Sequence, residues 1–201
     1  MRVSLVYLRP RQVGFVRANG PYKSSSAAAW QELMEWLERH DLSAQIGCGY
    51  GLALDHPDSV APENCRYEAC VDLPDEYQNL KTDGISFQTL PGGAFARIRH
   101  TGPYQNIRSS IAKVRDNWLP GQPRLLPDRR RPLLVVYLDD PKTCAAGKLR
   151  SDVCVPVRTH HNDAVSRAAA AVATALPPDA IPEARNWLAS TAGRSPSGAL
   201  R

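Results

Sequence analysis

The sequence predicts an α+β protein in which two related βαββ modules place antiparallel strands against a pair of helices. Two observations favour this class. The chain repeats itself at a spacing of about 82 residues, and each copy shows the same succession of strand, strand, helix, strand and strand. The 201-residue chain is 43% hydrophobic and 22% charged, which is typical of a globular protein and excludes collagen, coiled coil and wholesale disorder.

The repeat is carried by the tripeptide GPY at 20–22, which recurs at 102–104. Aligning the chain with itself at that spacing also pairs Trp36 with Trp118. Further along, residues 66–71 resemble residues 150–155 at a spacing of 84. We therefore predict repeat 1 over about 3–74 and repeat 2 over about 85–158, related by a pseudo-twofold axis. A ligand cleft is expected between the modules, because small-molecule sites often form at such junctions.

In repeat 1 the strands are short apolar runs, and the helix follows the glycine and proline that end the second strand. Serines are available to cap the start of this helix. The predicted elements, in order, are strands at 3–8 and about 13–18, a helix at about 24–40, and strands at about 47–54 and 65–73.

In repeat 2 the helix is indicated by an apolar stripe at helical spacing, formed by Ile107, Ile111, Val114 and Trp118. Its closing strands are predicted at 133–138 and about 152–157. Trp36 and Trp118 continue the core stripes of their helices, so packing each helix on its sheet is their expected role. The GPY segments are expected to be strand-to-helix turns.

Residues 159–201 differ from the repeats. An alanine-rich helix is predicted over about 163–175, and the polar end at 193–201 is predicted to be disordered. The longest apolar run, 168–176, is too short to span a bilayer, and the N-terminus lacks the pattern of a secretory signal. We therefore expect a cytoplasmic protein with no membrane partner.

The net charge is +5 and the pI about 9.1, but the basic residues are scattered, and only 129–131 forms a dense arginine cluster. This pattern favours a basic soluble surface with one exposed loop cluster over sequence-specific DNA binding. The five cysteines are odd in number and lack zinc-site spacing. We expect free thiols, no metal and no cofactor, with Cys70 and Cys154 as small core residues.

A set of motifs, in order along the chain, resembles the gyrase-inhibitor-like (GyrI-like) small-molecule-binding family. The set comprises GPY, GLALDHP at 51–57, PENCRYEACV at 62–71, LPGG at 90–93, HTGPY at 100–104, WLP at 118–120 and YLDDP at 137–141. The resemblance implies a tandem βαββ fold with a ligand cleft. The family includes effector-binding domains of AraC-type and MerR-type regulators, and stand-alone proteins that bind toxic molecules or inhibit DNA gyrase. Some members are similar to hydrolases of cyclopropane-bearing genotoxins. Because no segment reads as a helix-turn-helix, we expect a stand-alone member.

One position departs from the pattern of the family. Many members carry a glutamate two residues before the tyrosine of the YLxDP segment, where it meets cationic ligands, and here that residue is Val135. Residues two apart on a strand share a face, so Val135 and Tyr137 should both line the cleft. We therefore predict a preference for neutral apolar or aromatic ligands, with Glu68 as the nearest replacement acid.

The remaining candidate ligand-binding residues are aromatic. Tyr137, Tyr67 and Tyr50 form an aromatic wall in this hypothesis, with Trp30 near the cleft, whereas the alternative is ordinary core packing. Glu68 and its repeat counterpart Asp152 either supply an acid to the cleft or face solvent on an edge strand.

His100 lacks a nucleophile at a recognisable spacing, which favours a structural role over that of a base. We assign no catalytic residue and name Glu68 as the candidate acid.

Three functions remain open. The first is a module that binds a small apolar or aromatic molecule. The second is a hydrolase of a reactive xenobiotic, with Tyr137 orienting water and Glu68 as the acid. The third is a modulator of a protein such as DNA gyrase, acting through a basic surface that includes residues 129–131.

Overall fold

A computed structural model describes residues 2–44, 46, 48–73, 77 and 84–159. These residues form nine strands and two α-helices. The strands are Val3–Leu8 (β1), Arg11–Asn19 (β2), Gly49–Ala53 (β3), Arg66–Val71 (β4), Ser86–Leu90 (β5), Gly93–Thr101 (β6), Leu125–Pro127 (β7), Leu133–Tyr137 (β8) and Arg150–Thr159 (β9), and the helices are Tyr22–Arg39 (α1) and Ile107–Ala112 (α2).

Eight of the strands make one continuous antiparallel sheet in the order β1-β6-β9-β8-β3-β4-β2-β5, and β7 pairs with the end of β9. The first strand of each half is exchanged: β1 pairs with β6 of the second half, and β5 pairs with β2 of the first. The halves meet where β3 pairs with β8. The predicted modules are therefore not self-contained, since each half completes the sheet of the other.

Both helices lie on one side of the sheet, which we term the helix face. Helix α1 covers β2 and β4, and α2 covers β6 and β9. Alternate strand residues reach this face, so a strand such as β9 directs Val153, Val155 and Val157 toward α2. The other side is termed the opposite face.

Helix α1 begins at Tyr22, because Gly20 adopts a positive φ of 117° and Pro21 then sets the first turn. The predicted serine caps are wrong. Ser25 and Ser26 lie inside the first turn and donate to carbonyls behind them, so no side chain caps the helix. The apolar stripe does bury as predicted: Trp36 is 0% exposed on the sheet.

The second helical segment is less regular than α1. Six α-helical residues are followed by a π-helical turn, Lys113–Trp118, and a 3₁₀ turn, Leu119–Gly121. The predicted stripe from Ile107 to Trp118 nevertheless packs into the core on the helix face.

The opposite face forms its own core, with contributions from all eight strands of the sheet. The strands at the two edges contribute Leu8 and Leu90 to it. Two residues connect β1 to β2, and two connect β5 to β6, although these strands lie at opposite ends of the strand order, so the sheet must be strongly curved. Cys70 and Cys154 lie in this core, 0% and 1% exposed, as predicted, and the cysteines of the described residues are free thiols.

The expectation of an exposed arginine loop at 129–131 is wrong for Arg131. Its guanidinium binds Asp128 and donates to the carbonyls of Gly92, Ala94 and Val157. Arg131 therefore fastens β6 and β9 together, because a guanidinium can serve several acceptors at once.

Strand β9 extends to Thr159, one residue beyond the predicted end of repeat 2. The helix predicted at 163–175 and the disorder predicted at 193–201 lie outside the described residues. Among the residues that are described, no helix is long and apolar enough to cross a membrane.

Candidate ligand-binding site

An aromatic cluster lies at the centre of the helix face, where the two halves meet. The indole N–H of Trp30, from α1, donates to the Tyr67 hydroxyl at 3.2 Å. That hydroxyl lies 3.0 Å from the Tyr137 hydroxyl. The Trp30 and Tyr137 rings meet edge to face with centroids 5.2 Å apart. One helix and two strands from different halves therefore meet in this group, which we term the aromatic cluster.

The floor of the aromatic cluster is made by Gly51 and Val135, which face each other across the junction of β3 and β8. A Cβ on Gly51 would collide with the Tyr67 hydroxyl and approach the Tyr137 ring to 3.1 Å. The glycine therefore allows both tyrosines to lie close over the sheet. Val135 is 5% exposed and shares the helix face with Tyr137, as the strand pattern predicts.

The tyrosines of the two GPY tripeptides flank the aromatic cluster. The sequence predicts only strand-to-helix turns for these tripeptides. Tyr22 packs edge to face with Tyr67, centroids 6.3 Å apart, and Tyr104 with Tyr137, 4.8 Å apart. The Tyr22 hydroxyl donates to the carbonyl of Asp55, and that of Tyr104 to the carbonyl of Asp139. Tyr22 and Tyr104 occupy matching positions in the repeat, and this was the sequence signal that could have revealed their shared place beside the aromatic cluster.

Burial raises the pKa of four phenols, those of Tyr22, Tyr67, Tyr104 and Tyr137. The pKa of Tyr67 lies well above its ordinary value, that of Tyr137 is also raised, and that of Tyr22 rises to about 12. The main cause is desolvation of the phenolate. Near neutral pH these hydroxyls are therefore uncharged groups that can donate and accept hydrogen bonds.

Tyr50 does not join the aromatic cluster. It lies in the core of the opposite face, where its hydroxyl donates to Asp72 at 3.0 Å. The reason is the alternation of side chains along a strand: Gly51 faces the helices, so its neighbour Tyr50 must face away. The aromatic wall expected from Tyr137, Tyr67 and Tyr50 is thus reduced to two of its members.

Glu68 also lies on the opposite face, which corrects both expectations for it. Its side chain is 0% exposed and neither faces solvent nor enters the aromatic cluster. One carboxylate oxygen accepts from Arg17 at 2.9 Å and the other from Gln88 at 2.6 Å. Its counterpart Asp152 is also buried and accepts from Arg99. Both carboxylates lie on interior strands, and each is paired with an arginine that balances its charge.

His100 has the structural role that the sequence favours. It is 6% exposed, and its two ring nitrogens lie 2.9 Å from the Ser110 hydroxyl and 3.2 Å from the carbonyl of Pro103. The imidazole therefore joins strand β6 to the turn before α2 and to α2 itself.

Surface depressions are found on this fold away from the aromatic cluster. One, of about 510 Å³, lies beside Glu35, Glu38 and Arg39, and another, of about 280 Å³, lies between α1 and β2 near Gly84. The cluster itself is filled by contacts between its own rings. Within the described residues, no group of three or more His, Cys, Asp or Glu side chains is placed to hold a metal ion.

Comparison with known proteins agrees with this arrangement. The profile of the family described as a GyrI-like small molecule binding domain matches residues 1–158. The chain belongs to the GyrI-like family. The match spans both halves of the sheet and both helices, so the family assignment covers the whole described fold.

Two relatives within known bacterial proteins carry regulatory names. Over 108 residues the chain is 29% identical to the probable transcriptional regulator YgiV of Escherichia coli K12, a match covering 54% of this chain and 66% of YgiV. It therefore spans just under two thirds of that relative. Over 170 residues it is 25% identical to the DNA gyrase inhibitor of Cronobacter sakazakii, covering 79% of this chain and 98% of the relative.

Solved structures share the fold of this GyrI-like chain. The EcmrR C-terminal domain superposes with a TM-score of 0.60 at 16% identity, covering 78% of this chain and 97% of that one. SAV2435 bound to tetraphenylphosphonium superposes with a TM-score of 0.57 at 16% identity, covering 79% and 94%. At this identity the likeness establishes a common α+β architecture with a large antiparallel sheet.

Proposed function

We propose that this GyrI-like chain binds a neutral aromatic small molecule in a cleft between its two helical segments, centred on the aromatic cluster. The observation that carries the proposal is the meeting of Trp30, Tyr67 and Tyr137 over Gly51 and Val135. Aromatic rings that bear polar tips suit planar ligands, because the ring faces supply apolar contact and the tips fix orientation.

The location of the cleft rests on a pseudo-twofold relation between residues 3–73 and 85–159. The order of the strands supports it: reading inward from either end, the sheet presents an exchanged first strand, then the second, fourth and third strands of the other half. The axis then passes between β3 and β8. The aromatic cluster lies at that junction, over Gly51 and Val135.

Hydrogen bonding supports a ligand with a polar group. The Tyr67 and Tyr137 hydroxyls share one hydrogen bond, which uses only one of their two hydrogens. The second hydrogen is left for another acceptor. Because the rings fill the cluster, a ligand must displace at least one of them from its present contacts.

A preference for neutral over cationic ligands follows from Val135. A lipophilic cation that leaves water needs a carboxylate beside it, because an unpaired buried charge is costly. SAV2435 binds the cation tetraphenylphosphonium. Here Glu68, the replacement acid expected from the sequence, lies on the opposite face and is already paired with Arg17.

The two alternative functions each depended on a residue that the structure places elsewhere. The hydrolase hypothesis assigned the acid to Glu68, which lies on the other side of the sheet from Tyr137. The gyrase hypothesis is supported by the name of the Cronobacter sakazakii relative, but Arg131, part of the basic loop that it invoked, is bound within the fold. Binding of a neutral ligand is therefore the function that the geometry supports best.

The experiment compares methyltriphenylphosphonium with neutral triphenylphosphine oxide, in thermal-shift and calorimetric titrations of the wild type and Val135→Glu. A ligand that binds only the folded state adds about 2.7 kcal/mol of stability at a hundredfold excess over its Kd. We expect the neutral compound to stabilise the wild type and the cation to stabilise Val135→Glu. Val135→Gln is the matched control, since it adds a polar side chain of the same size without charge.

Each result bears on a different part of the proposal. If the cation stabilises the wild type as well as the neutral compound does, the predicted preference is wrong. If Val135→Gln gains cation binding equal to that of Val135→Glu, charge at residue 135 is not the determinant. If neither compound shifts any of the three proteins, the cleft does not bind ligands of this class.

A further inference from the structure

Strand β9 carries a buried hydroxyl that has no hydrogen-bond partner among the described residues. Ser151, the second residue of β9, is 0% exposed, and its Oγ atom is buried without a partner among the described residues. It has the same parity along the strand as Val153 and Val155, so it faces the helices. In the sheet it lies directly opposite Tyr137 on one side and His100 on the other.

The polar groups around Ser151 are already committed to other partners. Both ring nitrogens of His100 are engaged, by Ser110 and by the carbonyl of Pro103. The Tyr104 hydroxyl donates to the carbonyls of Asp139 and Arg150. The Tyr137 hydroxyl stands at the far end of its ring, against Tyr67. Buried polar atoms in proteins are almost always satisfied, so an orphaned one calls for an explanation.

The first half of the sheet shows what is missing at this place. The counterpart of Ser151, at the spacing of 84 residues, is Tyr67, whose ring extends to the centre of the helix face. In the second half, Tyr104 instead approaches Tyr137, with the ring centroids 4.8 Å apart, compared with 6.3 Å for Tyr22 and Tyr67. A small hydroxyl side chain therefore stands where the other half has a phenol, beneath two rings that are held to each other only by contact.

We propose that Ser151 is the polar anchor of the ligand: its hydroxyl bonds an oxygen carried at one end of a neutral aromatic molecule. The ring of that molecule packs against Tyr137 above Ser151, and Tyr104, which contacts Tyr137 in the free protein, moves aside to admit it. This inference rests on the proposed function and narrows the ligand class to aromatic compounds with a terminal hydroxyl or carbonyl oxygen. Ser151 is thus a specificity-determining residue, which accounts for a buried hydroxyl that the protein itself leaves unbonded.

The test uses two probes of nearly equal shape, 2-naphthol and 2-methylnaphthalene, which differ by a hydroxyl in place of a methyl group. Calorimetric titration of the wild type is expected to show roughly tenfold tighter binding of 2-naphthol, the size of one well-formed buried hydrogen bond. In Ser151→Ala this preference should fall to within about twofold, while 2-methylnaphthalene binds at least as tightly as to the wild type.

Ser110→Ala is the matched control. Ser110 is also a buried serine on the helix face, but its hydroxyl is bonded to His100. We expect this variant to lower the melting temperature and to keep the preference for 2-naphthol, whereas Ser151→Ala should not lower the melting temperature, because no hydrogen bond is lost.

The outcomes separate this inference from the function on which it rests. If both probes bind but Ser151→Ala keeps the tenfold preference, or the wild type shows none, the role of Ser151 is wrong and the cleft stands. If neither probe binds the wild type although triphenylphosphine oxide does, the role of Ser151 is wrong; if triphenylphosphine oxide also fails, the proposed function itself is wrong. If Ser110→Ala abolishes the preference and Ser151→Ala does not, the anchor is the His100–Ser110 pair.

Discussion

Residues 3–73 and residues 85–159 make the same contacts at the turns that lead into their helices and out of their third strands. The Tyr22 hydroxyl bonds the carbonyl of Asp55, and the Asp55 carboxylate binds Arg66. In the second half Tyr104, Asp139 and Arg150 repeat both contacts. The backbone follows suit: Gly20 donates to the carbonyl of Cys65 at 2.8 Å, and Gly102 to that of Leu149 at 2.8 Å.

The halves differ at the centre of the helix face. The positions that carry Tyr67, Gly51 and Trp30 in the first half carry Ser151, Val135 and Ala112 in the second. The contacts that repeat lie at turns, where every copy of the fold needs them. The residues that do not repeat belong to the aromatic cluster or lie beside it, where the two halves meet. The comparison teaches that the turn contacts are common to both halves, whereas the centre of the helix face is where the two halves have diverged.

The largest expected difference between the halves is in the two repeated tryptophans. Trp36 is 0% exposed on the regular helix α1 and stacks on His40, whereas Trp118 ends the π-helical turn and is only partly buried. Trp36→Ala should lower the free energy of unfolding by about 4 kcal/mol, and Trp118→Ala by about 2 kcal/mol. Urea unfolding followed by circular dichroism measures both. Equal losses would contradict the view that the first helix packs more tightly.

A smaller difference is expected in the repeated arginine–carboxylate pairs. Asp152 has a second arginine, Arg97, at 3.6 Å, whereas the hydrogen bond that Glu68 would keep without Arg17 comes from the neutral amide of Gln88. Arg17→Met should therefore cost about 2 kcal/mol of unfolding free energy, and Arg99→Met about 1 kcal/mol. Chemical denaturation of the two variants tests the order. A greater loss for Arg99→Met would show that Arg97 does not compensate.

The smallest effect is expected at the repeated aspartates, and here the halves should agree. Hydrogen bonds from Arg66 lower the pKa of Asp55, and those from Arg150 lower the pKa of Asp139. A carboxyl whose folded pKa is lowered stabilises the protein above the ordinary carboxyl range and loses that contribution as the pH falls. Asp55→Asn and Asp139→Asn should each cost about 1 kcal/mol at pH 7, since solvent screens the half-exposed arginines.

The same two variants have a matching signature at low pH. Their difference from the wild type should shrink as the pH is lowered through the range of these carboxyls, because the wild-type aspartates then become protonated. Unfolding curves at several values between pH 2 and pH 7 measure it. If the difference in unfolding free energy between the wild type and the variants is unchanged at the lowest pH, the contacts stabilise the protein through packing and neutral hydrogen bonds rather than through charge.

The family and much of the architecture could be predicted from the sequence, but the candidate site only in part. The sequence was enough to predict that Val135 and Tyr137 share a face, because side chains two residues apart on one strand point the same way. Tyr50 and Glu68 were misplaced for a related reason: one residue along a strand reverses the face, and a tyrosine or carboxylate gives no sign of which face is which. Gly51 and Ser151 were missed because they are notable only for the tyrosine rings that pack near them, and those rings come from other strands.

The sequence by itself determined the properties that depend on neighbours along the chain. These are the strand and helix order, the turns at Gly20 and Gly102, the apolar stripes of the two helical segments, and the repeat that relates them. Only the tertiary structure decided which strands pair across the halves, which face each side chain reaches, and which groups meet at the centre. The physical reason is that strand pairing joins residues distant in sequence, as Tyr67 and Tyr137 are, and neither carries a local signal of the other.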